Sequence, residues 1–452
     1  MNRIFFWLIL VAVACAAGRE LLVSVPFEVD PGTTGIWGLL DRARDAVDLN
    51  KDADGVPISP MQDLTTAIFA SAKKAVLDVA LPLIGGMTLF LGLMKVVDNA
   101  GGLKIVAKII RPLMIRMFPD VPPDHPAMGA MIMNLSANAL GLGNAATPFG
   151  IRAIQELDKL NPHKGTATNA QALFLVINTS GVTILATGVV VMRQSFGSTD
   201  PAGIIGTTLF ATACSTLFGT LMCKFLERFS PVPAAVDPIE GFESEAEQGY
   251  PTWVTVLAFI GLIAFIPLTI VFGRALSPWL IPALVLAFLT FGYMRGVAVY
   301  ESFVEGAKDG FNTGTRIIPF LVGILVMVGM LNSSGAMDGF AALIGPITTP
   351  LGLPADALPM ALIRPLSGSG ATGVLTATLS NPAIGPDSYT GYLVSTISGS
   401  METTFYVIAV YFGSVGIKNV RHTLPAALFA DLCGLIGSIV AVQFYFYYVL
   451  GR

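Results

Sequence analysis

Arg364 and Glu402 are two opposite charges set in stretches that are otherwise apolar, "RPLSGSGATG" (364–373) and "SGSMETTFY" (398–406). A carboxylate inside hydrocarbon costs several kcal/mol unless it is paired or hydrated, and is functional by default. Glu402 therefore reads as a substrate, ion or proton site, or else as half of an ion pair that locks two helices. A guanidinium binds carboxylate or phosphate in a bidentate manner. Arg364 reads as such a clamp, or as a pair with Glu402, or as a side chain snorkelling to the interface. A resting Arg364–Glu402 pair that substrate opens satisfies both.

Around these charges lie small polar groups. Asn134, Ser136, Asn138 and Asn144 crowd "NLSANALGLGN", while Ser367 and Ser369 follow Arg364. Asn178, Thr179, Ser180 and Thr183 match the neighbourhood of Ser398, Ser400, Thr403 and Thr404. Amides and hydroxyls can read a polar solute or ligate a cation. Any one of them serves equally to cap a half-helix end or to join two helices. As clusters recurring in two halves, they read as a site.

Enzyme chemistry has no motif here: HExxH, GxSxG and the Walker loop are absent. His125, His163 and His422 are scattered, and Cys15, Cys214, Cys223 and Cys433 lack CxxC spacing. Neither a metal centre nor a disulfide framework is expected, and no cofactor is implied. Asp48, Asn50, Asp52 and Asp54 alternate as in a calcium loop, but the twelfth position counted from Asp48 is Ser59. Without a glutamate there, a solvated loop is the stronger reading of 48–55. A net charge of −4 offers no basic surface for nucleic acid.

The elements that must hold these groups are membrane helices. The 452 residues are 54% hydrophobic and 12% charged, against about 25% charged in a soluble domain. Apolar runs at 77–98, 170–192, 203–223, 252–272, 279–294, 315–332, 391–413 and 423–449 each approach the length that crosses a bilayer. Residues 3–17 read as a further, retained helix, with a cleaved signal as the alternative. With the N-terminus inside, sixteen of the 26 Lys and Arg fall on the cytoplasmic side and nine outside, as the positive-inside rule requires. This works if about 127–147 and 356–380 dip in and return on one side. The expectation is an all-α polytopic protein with about nine transmembrane helices and two re-entrant helical hairpins.

The halves repeat. "SAKKAVLDVALPLIGG" (71–86) matches "GAKDGFNTGTRIIPFLVG" (306–323), "PAMGAMIMNLSANALG" (126–141) matches "PMALIRPLSGSGATGV" (359–374), and "INTSGVTILATGVVV" (177–191) matches "ISGSMETTFYVIAVY" (397–411). This register sets Asn134 opposite Ser367 and Ser136 opposite Ser369. Two helices, 252–272 and 279–294, precede the second copy where one precedes the first, which inverts it. Residues 229–251 are acidic and linker-like, dividing the chain into 1–228 and 252–452, with a polar insert at about 24–64. The stretch 102–118 is a basic amphipathic helix suited to the cytoplasmic lipid surface.

"MNLSANALGLGNAATPFG", "LNPHKGTATNAQ" and "FLVINTSGVTI" resemble spore maturation protein A. "YESFVEGAKDGFNTGTRIIPFLV", "RPLSGSGATGV" and "SGSMETTFYVIAVYFGSVGIKNVRHTLPAAL" resemble spore maturation protein B. The chain thus resembles a fusion of the two, within the nucleoside-recognition, or Gate, family, which is similar to the core of concentrative nucleoside transporters. The resemblance implies a bacterial inner-membrane, multi-pass protein with two Gate repeats, and in spore formers a part in spore maturation. It does not name a substrate. Two functions stand side by side. One is alternating-access transport of a small solute or ion, by a chain in contact with lipid and able to form a homo-oligomer. The other is a non-transporting scaffold of an envelope or spore-maturation complex.

Overall fold

A computed structural model describes residues 2–24, 58–141, 146–184, 186–230 and 249–451. Asn144, the 48–55 loop and most of the acidic linker lie outside them. Every named element among the described residues is helical, as the composition requires. In hydrocarbon a helix satisfies its own backbone polar groups.

The chain divides into two compact units, Met1–Pro82 with Ile317–Leu358 and Leu83–Arg316 with Pro359–Arg452. Each draws on both sides of the acidic linker. Helices α1 (Asn2–Ser24), α2 (Pro60–Lys74) and the end of α11 (Val299–Ser333) belong to the first. There Ala12 and Ala16 of α1 are buried against Leu64, Met327, Met330 and Leu331, and Arg19 donates to the Ser333 carbonyl at 3.2 Å. The apolar run expected at 3–17 is in fact helical to Ser24, and Phe6–Val23 is long enough to span.

The second unit holds α3 (Leu81–Asn99), α4 (Gly102–Met117), α5 (Pro126–Ala139), α6 (Thr147–Lys159), α7 (Asn169–Thr179), α8 (Thr187–Ser195), α9 (Ile204–Glu227) and α10 (Thr252–Met294). After the start of α11 the chain leaves this unit, forming α12 (Ala336–Thr348). It returns for α13 (Leu358–Ile363), α14 (Gly368–Leu379), α15 (Tyr389–Ser400), α16 (Thr404–Ser414) and α17 (Thr423–Phe444).

Three pairings join helices from the two sides of the acidic linker. In the first, glycines of α11 recur every fourth residue and let two backbones touch. Gly306 backs onto Leu91 and Lys95 of α3, Gly310 onto Met87 and Thr88, and Gly314 onto Ile84. A Cβ at Gly306 would lie 2.4 Å from the Leu91 carbonyl oxygen. Lys95–Glu305 at 3.2 Å and Asn99–Ser302 at 2.9 Å continue the same register. In the second, α9 and α17 meet with Gly219 on Ala430 and Gly437 on Ala211, and the Ser215 hydroxyl donates to the Ala430 carbonyl. The third pairing joins the two broken helices and forms the site below.

The segment 252–294 forms one helical run where two helices are expected, yet its ends cannot be far apart. Thr255 donates to the Ile109 carbonyl at 2.8 Å, and Phe291 lies against Gly102. Ile109 and Gly102 are about 10 Å apart on α4, whereas a straight helix would hold Thr255 and Phe291 about 54 Å apart. The run therefore doubles back, as the two-helix reading needs. Midway along the run, Thr269 and Ile270 pack on Gly206 of α9.

Seven helical segments among the described residues are long and apolar enough to cross a membrane, Phe6–Val23, Pro60–Asn99, Ile204–Glu227, Thr252–Phe272, Val299–Ser333, Tyr389–Ser414 and Thr423–Val449. Two expected spans fall short of that length. The run 170–192 is interrupted between α7 and α8, and Trp279–Met294 is a shorter apolar helix.

Candidate functional site at two crossing helix breaks

Two helical runs stop near their middle and restart. In the first, α7 ends at Thr179 and α8 begins at Thr187. In the second, α15 ends at Ser400 and α16 begins at Thr404. The local cause is a run of Ser, Thr and Gly, whose side chains compete for backbone partners. Gly181 takes φ +65°, where a side chain is strained. A Cβ there would also lie 2.9 Å from the Met401 backbone. The two breaks touch at this point, and the Glu402 N–H donates to the Thr179 carbonyl at 3.0 Å. An end of α7 that would otherwise be unsatisfied is thus capped by the other run.

A helical hairpin is tied to each break. In the first hairpin, α5 turns into α6, and the Ala139 carbonyl accepts from Ile184 N–H at 3.0 Å. Asn138 reinforces this by donating to Asn178 Oδ1 at 3.0 Å, and Asn178 donates back to the Phe174 carbonyl. In the second hairpin, α13 turns into α14, and the Pro365 carbonyl accepts from Phe405 N–H at 3.1 Å. Ser367 caps α14 by accepting from Gly370 N–H, and its hydroxyl lies 3.4 Å from that of Ser369. The turns do not fall in the register read from the sequence. Asn134 lies inside α5, whereas Ser367 lies in a turn. Gapless alignment misses this because the limbs before the turns differ in length, fourteen residues in α5 against six in α13.

Arg364 sits in the second turn and is buried. Its Nη1 donates to Thr403 Oγ1 at 3.1 Å and its Nη2 to the Met401 carbonyl. Glu402 Oε2 is 3.9 Å from Nη2, and the glutamate side chain is 46% exposed. The pair expected from the sequence is therefore present but loose. The guanidinium rests mainly on neutral acceptors, and its Nε–H has no partner. The N-terminal ends of α14 and α16 meet here, with Gly368 against Thr403. Helix N-termini and a cation make this region favourable to negative charge.

The remaining polar residues divide. Asn134 is fully buried and donates to the Ala146 carbonyl at 2.9 Å and to the Tyr411 hydroxyl at 3.3 Å, leaving Oδ1 unpaired. Ser136 bonds back to Ile132, Thr179 to Val176, and Ser180 to Ile177 and Thr216. Ser400 reaches Ser438 at 3.4 Å, and Ser398 is half-buried. None of these hydrogen bonds joins Asn134 or Ser136 to Ser367 or Ser369. The structure thus gathers Asn138 with Asn178, and Arg364, Glu402 and Thr403 with the Thr179 carbonyl.

Two features were not singled out from sequence. Asp431 of α17 is buried, accepts from Thr404 Oγ1 at 2.7 Å through Oδ2, and has no partner at Oδ1. An acid within the run 423–449 was the available signal. Arg193 is fully buried at the end of α8 and makes five hydrogen bonds. Its partner Asp387, at 3.0 Å, also accepts from Ser198 and from Thr199 twice. Burial alone would raise the Asp387 carboxyl, but those hydrogen bonds and the Arg193 charge hold it below its usual range.

The nucleoside-recognition (Gate) family matches residues 80–199 and 315–418. Spore maturation protein B of Bacillus subtilis (strain 168) is 44% identical over 171 residues, 38% of this chain and 95% of that protein. Spore maturation protein A of the same strain is 39% identical over 165 residues, 36% of this chain and 84% of that protein. Among solved structures, CNTnw in an inward-facing substrate-bound state is 14% identical with a TM-score of 0.45, covering 99% of both chains. The Alcanivorax borkumensis YdaH transporter is 15% identical, again with a TM-score of 0.45 and 99% of both chains covered. On the strength of its identity to the two Bacillus proteins, the chain is a multi-pass membrane protein that belongs to the family of spore maturation proteins A and B.

Proposed function

We propose that the protein moves a small solute or ion across the bacterial inner membrane by alternating access, with its site where the two helix breaks and the two hairpin turns meet. One observation carries this reading. Two broken helices bring unwound backbone, helix ends and a guanidinium with an unpaired Nε–H together within apolar surroundings, as the sites of secondary transporters are built. The hairpins are re-entrant in this reading, and 1–228 and 252–452 are its two Gate repeats. Movement of one broken helix against the other would expose the site alternately. Arg364 and the N-termini of α14 and α16 favour an anionic or carbonyl-bearing solute. Asn138 and Asn178 supply amides that orient it. Thr179, Ser180, Asn134, Ser136, Ser367, Ser369, Ser398, Ser400 and Thr403 form the polar surround. The chemistry is binding and release, with no catalytic group, and a role in spore maturation belongs to this proposal.

A thermal-shift screen of the purified chain against nucleosides, dicarboxylates and divalent cations tests it, because a ligand selective for the folded state raises apparent stability. One class should raise the melting temperature of the wild type and leave Arg364→Ala unmoved. If no class does so, and alanine at Asn138 or Ser369 lowers yield alone, the scaffold reading takes its place.

A further inference from the structure

Asp431 lies eight residues into α17, about 12 Å from its start, inside a segment long enough to span. The residue is 5% exposed. One oxygen has a single donor, Thr404 Oγ1, and the other has none. No described lysine, arginine or histidine lies within ion-pair distance of it. A bare carboxylate in such a place would cost several kcal/mol. A metal cation would need several oxygens around it, and Oδ1 has no hydrogen-bond partner at all. A proton on Oδ1 removes the charge without any further ligand.

The surroundings give that proton a consequence. Thr403 and Thr404 are adjacent. The first accepts from Arg364, and the second donates to Asp431. The charges close to Asp431 are Arg364, which acts on it through space, and Glu402, beside Arg364. Helices α7 and α15, which also pack on α17, contain no Asp, Glu, Lys, Arg or His. Helix α9 brings Cys214 and Cys223, with Lys224 and Glu227 at its far end, and α16 brings Tyr406 and Tyr411. The Nε–H of Arg364 is unpaired, so the guanidinium has a donor to give.

We propose that Asp431 is a proton-binding site whose occupancy decides where Arg364 rests. With Asp431 protonated, the guanidinium stays on the Met401 carbonyl and Thr403. When Oδ1 releases its proton to water, the new carboxylate draws Arg364 across Thr403–Thr404 and frees the second hairpin turn from the break. The step makes or breaks only the O–H bond, with water as proton donor and acceptor. What the proton drives rests on the transporter reading. The binding itself does not.

Infrared difference spectroscopy on the full-length purified chain reads the proton directly, through the carbonyl stretch of a neutral carboxyl. The wild type should show this band near neutral pH and lose it on alkalinisation. Asp431→Asn should lack it, and Glu402→Gln should keep it. A band that survives in Asp431→Asn overturns the assignment, as does its absence from the wild type. Loss of the band on adding sodium at constant pH would reassign the site to a metal cation. Should Asp431→Asn fail to fold, Thr404→Val removes only the donor to the carboxylate and should carry the band to higher pH. An unmoved band there counts against the site. The coupling is read from Ser369→Cys in a background without native cysteines. Its maleimide labelling should rise several-fold more with pH when Asp431 is present than when it is asparagine. Equal pH dependence in both backgrounds overturns the coupling to Arg364.

Discussion

Among the described residues of the second unit two arginines are buried, Arg193 and Arg364, and they are held in opposite ways. Arg193 is enclosed by carbonyls of Pro386 and Asp200, hydroxyls of Ser198 and Ser395, and the Asp387 carboxylate, with Tyr392 stacked 4.1 Å below. Arg364 has two neutral acceptors and a half-exposed glutamate at 3.9 Å. Both draw partners from distant sequence or from across a break, so distance along the chain does not separate them. What separates them is how completely the charge is satisfied. Arg193 closes a clasp in which residues 193–200 hold residues 386–395, and Asp200 also accepts from Tyr392 and Tyr445. Arg364 keeps interaction capacity in reserve. Both leave Nε–H without a partner, but a buried charge held by five hydrogen bonds and a close carboxylate fixes geometry, whereas one held by two neutral acceptors is available to a ligand.

That contrast can be broken most directly at the clasp. Arg193→Ala strands the Asp387 carboxylate and empties a buried volume, and should cost about 3–5 kcal/mol. Lost yield and a large fall in melting temperature in detergent are the expected readouts, while Arg364→Ala should remain folded. Equal damage from both would erase the distinction. Next in size is Gly181→Ala. It combines φ +65° with an approach of 2.9 Å to the Met401 backbone, and should lower stability by about 1–3 kcal/mol. Gly188→Ala, with open space around its Cβ, should leave the melting temperature nearly unchanged.

Acid sharpens the comparison further. The Asp387 carboxyl titrates below its ordinary value in the folded protein. Its contribution is therefore complete above that value and is lost as pH falls through the lower folded one, since the unfolded chain binds the extra proton. Thermal stability should drop below about pH 4, and Asp387→Asn should flatten that part of the profile. The smallest effect belongs to the other arginine. Because Glu402 is half exposed and 3.9 Å away, a double-mutant cycle of Arg364→Ala and Glu402→Ala should give a coupling below about 1 kcal/mol. A coupling of several kcal/mol would show that the pair locks the helices and is no reserve.

Much of this was legible without coordinates. Apolar runs of spanning length announced the helices, because a bilayer demands about twenty apolar residues of any helix that crosses it. Ser, Thr and Gly clusters marked the neighbourhood of the breaks that follow Thr179 and Ser400. Arg364 and Glu402 stood out because charge is rare in such runs. The inverted repeat was read from matching strings and charge bias, and α3 and α11 lie antiparallel with glycines at their contact.

Other features depended on which surfaces meet. Arg193 reads in sequence as a charge just past an apolar run, where an exposed loop is expected. Its burial arises only when 198–200 and 386–387, nearly two hundred residues apart, close over it. Asp431 passed as one acid in a long helix, and its orphan oxygen exists only because α16 offers a single hydroxyl. The hairpin register followed limb lengths, not residue matches. Sequence alone determined which segments are apolar enough to form membrane helices, since that follows from local composition. Tertiary structure alone decided which charges are satisfied, since that depends on partners brought together by packing.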